Sequence, residues 1–454
     1  MNVYRNYKIT LIFIVLSGFT LLLFRDAITS YFFQDDWFSF LISRATDIKE
    51  FLNFFAPRTD VVYYRPLGMQ IPFFLMKSLF GVNPLPFRIA TFAFHVLNSY
   101  LVFRFLYMFL KNKVLAEFGA GLYMVSAVHF ILFYWAATFA FIIIPTFYLG
   151  SMIAYIQKKS RLGFVLFFAG LLTNELIITL PIMLFLYELL IVRKIKLLNL
   201  TPFFIFAAGY SLFRFNLTKF PTYGNYAYSI DPQLIGANLR NYLFASFNLP
   251  EEIANQFVTF WQLNPLFVRE FGRFLFPGTI LLVMFMTLIL YKLTRFYTFK
   301  DKAIKPESLF ALTWFVVGLF PVLFYAHHFF PYYLPIPLVG ILLFFILELK
   351  IFFVTFYKNK FLQIGLLSCF FGIWYWSSTS TVNFNRMIHW APRRALLSQE
   401  LIKKTLPTLQ ATASGGKLFV QIPGGGENLL VLGDQNAFKV LFEDDQVMTE
   451  YESR

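Results

Sequence analysis

Along this chain apolar residues run together in long blocks instead of alternating with polar ones. Residues 9–24 contain no charged side chain, and comparable blocks with few charges lie near 87–109, 114–135, 138–156, 162–174, 176–192, 198–214, 272–291, 308–325, 332–349 and 361–379. About 17 apolar residues wound as helix reach across ~30 Å of hydrocarbon. Lipid offers no partner for a backbone N–H, so helix, which pairs its backbone internally, is the state these blocks predict. The strict alternation of a membrane barrel is missing. The pattern predicts an all-α polytopic membrane protein with about eleven transmembrane helices. The two short blocks on either side of Glu175 read as a broken pair.

Composition points the same way. With 58% hydrophobic and 14% charged residues, the chain has more apolar surface than one water-soluble core can hide. The net charge of +15 raises the question of nucleic acid, but the basic residues stand in short clusters between apolar blocks. These clusters are Arg5 and Lys8; Lys111 and Lys113; Lys158, Lys159 and Arg161; Arg193, Lys194 and Lys196; Lys292, Arg295, Lys300, Lys302 and Lys305; and Lys358 and Lys360. Every one falls on the same side of the predicted membrane, so they are topology signals, and no nucleic-acid partner is expected. The N-terminus is then cytoplasmic and the C-terminus extracytoplasmic. The first block is followed by Arg25-Asp26 and aromatics where a cleaved signal peptide would carry small residues, so it stays as a span. No retention signal is visible, which points to a bacterial plasma membrane. The single cysteine, Cys369, excludes an intrachain disulfide.

This topology divides the chain into a transmembrane part, 1–380, and a small extracytoplasmic part, 381–454, predicted as an α/β element with a helical start and a strand near 417–422. Two outer loops, 25–86 and 215–271, hold most of the remaining polar material. Within the first loop, 66–80 predicts a helix of about four turns, too short to span, and 37–55 mixes aromatics and charges as an interfacial amphipathic helix does.

The chemistry collects on the outer side. Tyr31-Phe32-Phe33-Gln34-Asp35-Asp36-Trp37 follows the first span directly. Two adjacent carboxylates beside an aromatic, membrane-contacting segment are costly to bury. Asp35 or Asp36 can act as general base on an acceptor hydroxyl or help hold a divalent cation; the plainer reading is a solvated loop or a helix cap. In Tyr63-Tyr64-Arg65-Pro66-Leu67, Pro66 opens a helix and leaves Arg65 at its N-terminus, a place for an anion such as a phosphate. The alternative is an arginine snorkelling to headgroups. Glu175 falls at the outer membrane edge, either lining a cavity or exposed in a turn. The turn Ala326-His327-His328-Phe329-Phe330-Pro331-Tyr332-Tyr333 joins two late spans on the same side. His327, His328 and Tyr332 are candidates for phosphate or sugar contact, with interfacial anchoring as the plain alternative.

The order of these features resembles the start of the GT-C glycosyltransferases, and most closely their protein O-mannosyltransferase-like branch. The resemblance is carried by Asp35-Asp36 after the first span, Tyr64-Arg65-Pro66-Leu67, the link Phe80-Gly81-Val82-Asn83-Pro84, Phe87-Arg88, and a span with His95 and Asn98. Leu172-Thr173-Asn174-Glu175-Leu176, then Thr179-Leu180-Pro181 and Tyr187-Glu188, extend it. It covers the first 190 or so residues; later parts match in hydropathy. Where that branch has a Lys-Glu pair, this chain has Asn174-Glu175, so the lysine's role is vacant. The resemblance implies a helical GT-C fold and inverting transfer of a sugar from a polyprenyl-phosphate donor to a protein or glycan hydroxyl outside the cytoplasm. It also places a first-loop carboxylate near the acceptor and a late-turn histidine, His327 or His328, against the lipid phosphate.

Other features carry less. Pro423-Gly424-Gly425-Gly426 lacks the Lys-Ser/Thr ending of a phosphate loop and reads as a turn. Asp444-Asp445 sits in an acidic, polar tail and reads as solvated surface. Tyrosines within 220–228 can stack on sugar. Three rivals to the transferase are a transporter or flippase of a lipid-linked substrate, a GT-C-like polymerase or ligase, and a noncatalytic scaffold. The transporter expects ionisable groups near the midplane of spans and repeated halves, neither visible here.

Overall fold

The structure, a computed structural model, describes residues 2–61, 63–217, 224, 226–299, 305–356, 359–410, 419–422 and 426–451. The Gly424-Gly425 turn, Lys300, Lys302, Lys358 and residues 220–223 of the tyrosine-bearing loop lie outside these. Five helices among the described residues are long and apolar enough to cross a membrane: Pro84–Leu110, Ala136–Ile156, Glu175–Val192, Leu197–Asn216 and Pro265–Lys292. Lys113–Met124 with Ala127–Tyr134 makes a sixth, bent by 40°, and Leu11–Leu23, Ser160–Leu171 and Pro306–Val322 are shorter apolar helices. The chain is a multi-pass, helical membrane protein.

Burial ranks these helices. Residues of the span Ala136–Ile156 are 78% buried in protein, against 22% for Leu197–Asn216. The first is therefore the axis around which the others pack, and the second keeps most of its residues uncovered by the rest of the chain. Polar anchors fix the axis. Asn98 donates to Ile142 O (2.6 Å) and accepts from Thr146 Oγ1 (2.6 Å), joining Pro84–Leu110 to the central helix. Helix ends follow local chemistry: Asn83 accepts from Leu85 N with Pro84 in the first turn, and Lys111 closes the same helix in the left-handed region at φ 52°.

Four departures from the sequence reading have physical causes. The span near 114–135 bends because Asn248 inserts at its middle, accepting from Ser126 Oγ (2.8 Å) and Ala127 N (2.9 Å). Residues 37–55 form two short helices, Asp35–Leu41 and Ile48–Leu52, since Asp47 accepts from Glu50 N (2.7 Å) and starts a second helix there. The loop 215–271 contains, among its described residues, helix Pro232–Ser246, a 3-10 turn at Glu251–Gln256 and the start of Pro265–Phe299. Helix Lys360–Ile388 runs past residue 380, the boundary drawn from hydropathy, because Ser377, Ser378, Thr381 and Asn385 are buried polar residues. Thr381 Oγ1 donates to Asn248 O. Polar packing extends this helix where an apolar count ends it.

Beyond it, Trp390–Gln410 is helical, Glu427–Val431 and Asn436–Phe442 are short helices, and Phe419–Ile422 pairs in parallel with Met448–Tyr451.

Candidate active site

The acid pair divides into two unlike groups. Asp36 has no exposed surface. Its Oδ2 accepts from Phe33 N (3.1 Å) and its Oδ1 from Ala137 N (2.6 Å). Ala137 lies in the first turn of the central span, where free N–H groups and the helix dipole favour a carboxylate. Asp36 is thus the pin that fastens the first loop to the axis of the bundle. Burial pushes its carboxyl up to about 7, opposed by the Arg88 guanidinium and the two backbone donors. Arg88 itself donates to Ser30 O through Nε (3.2 Å) and Nη2 (3.0 Å).

Asp35 reaches solvent, yet protein crowds it on most sides. Its carboxyl is raised to about 6 by that desolvation, against the pull of Arg394. It is thus a carboxylate that a substrate can reach while much of its own hydration is already lost.

Arg65 and Glu175 form the second element of the site. Arg65 caps the helical segment beginning at Pro66, and Glu175 begins the 3-10 turn Glu175–Thr179, which Asn174 caps by accepting from Leu176 N (3.0 Å). Arg65 Nε donates to Glu175 Oε2 (2.8 Å) and Nη2 to Oε1, the two-pronged geometry that suits guanidinium and carboxylate. Nη1 takes no part in this fork. The guanidinium also lies over the rings of Tyr63 (4.9 Å) and Phe141 (4.7 Å). Two backbones must approach closely to allow the pair: Leu67 N donates to Leu172 O (2.9 Å), and a Cβ on Gly68 would lie 2.2 Å from Thr173 O. Only glycine fits there.

The late turn closes the arrangement. His328 is buried and shares a hydrogen bond with Tyr332 Oη (2.9 Å); its ring stands 4.2 Å from that of Tyr226. Burial, helped by the charge of Arg65, lowers the His328 pKa to about 4, so it is a neutral imidazole at pH 7. It can hydrogen-bond to an oxygen but brings no positive charge. Tyr332 packs on Phe141 (4.7 Å), beneath Arg65. His327 turns to the exposed surface and is not part of this cluster.

Arg65, Glu175, His328 and Tyr332 therefore gather on one side of Tyr63 and Tyr226, and Asp35 lies on the other, linked to them through these two tyrosines. Both tyrosines lie within the fields of Asp35 and Arg65, and Tyr226 also within that of Glu175. Sequence reasoning left Tyr63 without a role although it stands in the motif with Arg65, and treated Tyr226 only as one of several loop tyrosines. Arg394 gave no signal beyond being one of two consecutive arginines. Arg214, in Leu197–Leu217, lies in the field of Glu175 and was equally unmarked, since a lone arginine near a span end reads as a headgroup anchor.

Among the described residues no three His, Cys, Asp or Glu side chains converge as a protein-built metal site requires, so a divalent cation beside Asp35 and Asp36 has no third ligand of that kind. Two recesses lie elsewhere. One, bounded by His389, Glu251 and Asn385 among others, has only ≈ 10 Å³, scarcely more than one water-sized site. The other, of ≈ 230 Å³, opens in the first loop and is lined by Ile42, Arg44, Glu50, Asn53, Phe54, Arg58 and Gln70. Asp445, read from the sequence as idle surface, is exposed but pairs with Arg44 at 2.6 Å.

No protein-family model matches the chain, and no curated protein matches it.

Proposed function

We propose that this protein is a membrane glycosyltransferase that moves a sugar from a polyprenyl-phosphate donor to a hydroxyl of a protein or glycan acceptor on the extracytoplasmic face, with inversion. The chain would cross the membrane about eleven times, N-terminus inside, in a bacterial plasma membrane. The observation that carries this reading is the pairing of Arg65 with Glu175 beside Tyr63, Tyr226 and the His328–Tyr332 pair, with Asp35 acting on the same two tyrosines.

In the reaction, the Asp35 carboxylate takes the proton of the acceptor hydroxyl as its oxygen bonds to the anomeric carbon. The bond from that carbon to the phosphate oxygen breaks, and its electron pair leaves with the polyprenyl phosphate. Charge grows on the departing phosphate, so fixed donors there act more on the transition state than on the ground state. Arg65, through the edge that Glu175 leaves open, supplies positive charge; neutral His328 and Tyr332 supply hydrogen bonds. Asp36 is not the base in this scheme, because both its oxygens are already engaged. The outer-loop recess near Gln70, in the same helical segment as Arg65, is the place for the acceptor.

The rival transporter needs ions in its spans that can exchange partners. Buried ions do occur: Glu348 pairs with Lys292 and accepts from Ser308 Oγ (2.8 Å), and Glu188 accepts from Tyr155 Oη (2.7 Å). Each is already satisfied and lies toward the helix ends that carry the basic clusters. The test is to reconstitute the full chain and supply radiolabelled polyprenyl-phosphate sugars. Transfer to acceptor, lost in Asp35→Asn with unchanged thermal stability, supports the transferase. Movement of labelled lipid between leaflets without transfer would establish the transporter instead.

A further inference from the structure

The residue before Asp35 has an improbable backbone. Gln34 sits at φ 54°, ψ −120°, a conformation that a residue with a side chain holds only when its surroundings impose it. Those surroundings come from the far end of the chain. Gln34 N donates to Val431 O (2.8 Å), and its side-chain Oε1 accepts from Arg394 Nη1 (2.8 Å). Its carbonyl oxygen lies so close to Gly433 that a Cβ there would come within 2.9 Å. Arg394 is itself positioned, its guanidinium 4.9 Å above the Trp390 ring and its Nε 3.6 Å from Glu427 Oε1. At the other end of the acid-bearing helix Arg44 binds Asp445 and the carbonyl of Lys439, and Lys77 pairs with Glu443 (2.9 Å). The C-terminal segment therefore clamps this helix at both ends.

We infer that Arg394 is a positioning residue for Asp35, holding Gln34 in its constrained conformation and facing the carboxylate with positive charge, so that the site is incomplete without the C-terminal segment. This rests on the reading of Asp35 as the reacting carboxylate. The groups that face Asp35 are Arg394 from the helix Trp390–Gln410, Asp36 on its own helix, and Tyr63 and Tyr226 from the outer loops. Among these Arg394 is the one cation, and its pull opposes the desolvation of the carboxylate.

The experiment labels the full-length protein in lipid nanodiscs with a hydrophobic carbodiimide, which attacks protonated carboxyls, and reads modification of Asp35 by peptide mass spectrometry from pH 5 to 8. Arg394→Gln should move the labelling midpoint up by about one pH unit, which is about tenfold more protonated Asp35 at a fixed pH above the midpoint. Arg394→Lys should restore most of the shift, and Lys404→Gln, at an exposed position further along the same helix, should leave it unchanged. A midpoint unmoved in folded Arg394→Gln overturns the inference. If that variant does not fold, Glu427→Gln gives the opposite reading: with the competing acid gone the midpoint falls, and an unmoved midpoint overturns the inference. The labelling needs no donor sugar, so a shift accompanied by no transfer would defeat the enzymatic reading while leaving the positioning role intact.

Discussion

Arg65 and Glu175 stand 110 positions apart in the chain and meet through two parallel hydrogen bonds. Neither residue alone defines the site. The fork immobilises a guanidinium that would otherwise sample many rotamers, and it places the charge over the rings of Tyr63 and Phe141. Replacing Arg65 by Lys keeps the charge and loses the planar fork, so it should cost at least about tenfold in transfer while the protein still inserts. Glu175→Gln should cost about 2 kcal/mol in stability. That is less than for a sealed pair, because the Glu175 side chain keeps 29% of its exposure. A double-mutant cycle on thermal unfolding reads the coupling; additive losses would mean that the two side chains do not act as a pair.

Gly68 sets how closely the helical segment that Arg65 caps approaches the Leu172-Thr173 turn. In Gly68→Ala the new methyl would meet Thr173 O at 2.2 Å and Ala140 Cβ at 2.8 Å, and both contacts belong to groups that cannot swing aside. Separation of the two segments should cost about 1–3 kcal/mol and lower transfer, because it pulls the fork apart. Gly365→Ala is the control: nothing lies within 4 Å of its Cβ, and no loss of melting temperature is expected. Equal melting temperatures for Gly68→Ala and wild type would contradict the close approach.

Asp36 should behave as a structural carboxylate. Asn in its place can accept from only one of the Phe33 and Ala137 amides, leaving the other buried N–H without an acceptor, at about 1–3 kcal/mol. The sign of the pH dependence follows from the raised folded-state pKa of about 7. The folded protein holds a proton that the unfolded chain has already released, so the wild type loses stability as pH rises from the ordinary carboxyl range through about 7. Asp36→Asn cannot titrate. The gap between the two proteins should therefore narrow between pH 5 and pH 8, measured by thermal unfolding in one detergent; a gap that stays constant across this window would mean that the carboxyl's pKa is not raised.

What the sequence determined by itself is the solvent and the periodicity. Long apolar blocks specify helices in lipid because no other backbone state satisfies its hydrogen bonds there, and this holds whatever the helices pack against. Pro66 acts within a few residues of itself, so the helix start that it marks was legible too. So was the accumulation of Asp35, Asp36, Arg65 and Glu175 near span ends, which needs only hydropathy and counting. The tertiary structure decided which of two adjacent acids is sealed by Ala137, 101 residues away, and which reaches solvent. It also decided that His328 and not His327 joins the cluster, and that Arg394 comes to stand against Gln34, 360 residues before it. Adjacent residues carry nearly the same local signal, and what separates them is burial and the direction of the side chain. Those depend on contacts between segments distant in the chain, and no short-range pattern encodes them.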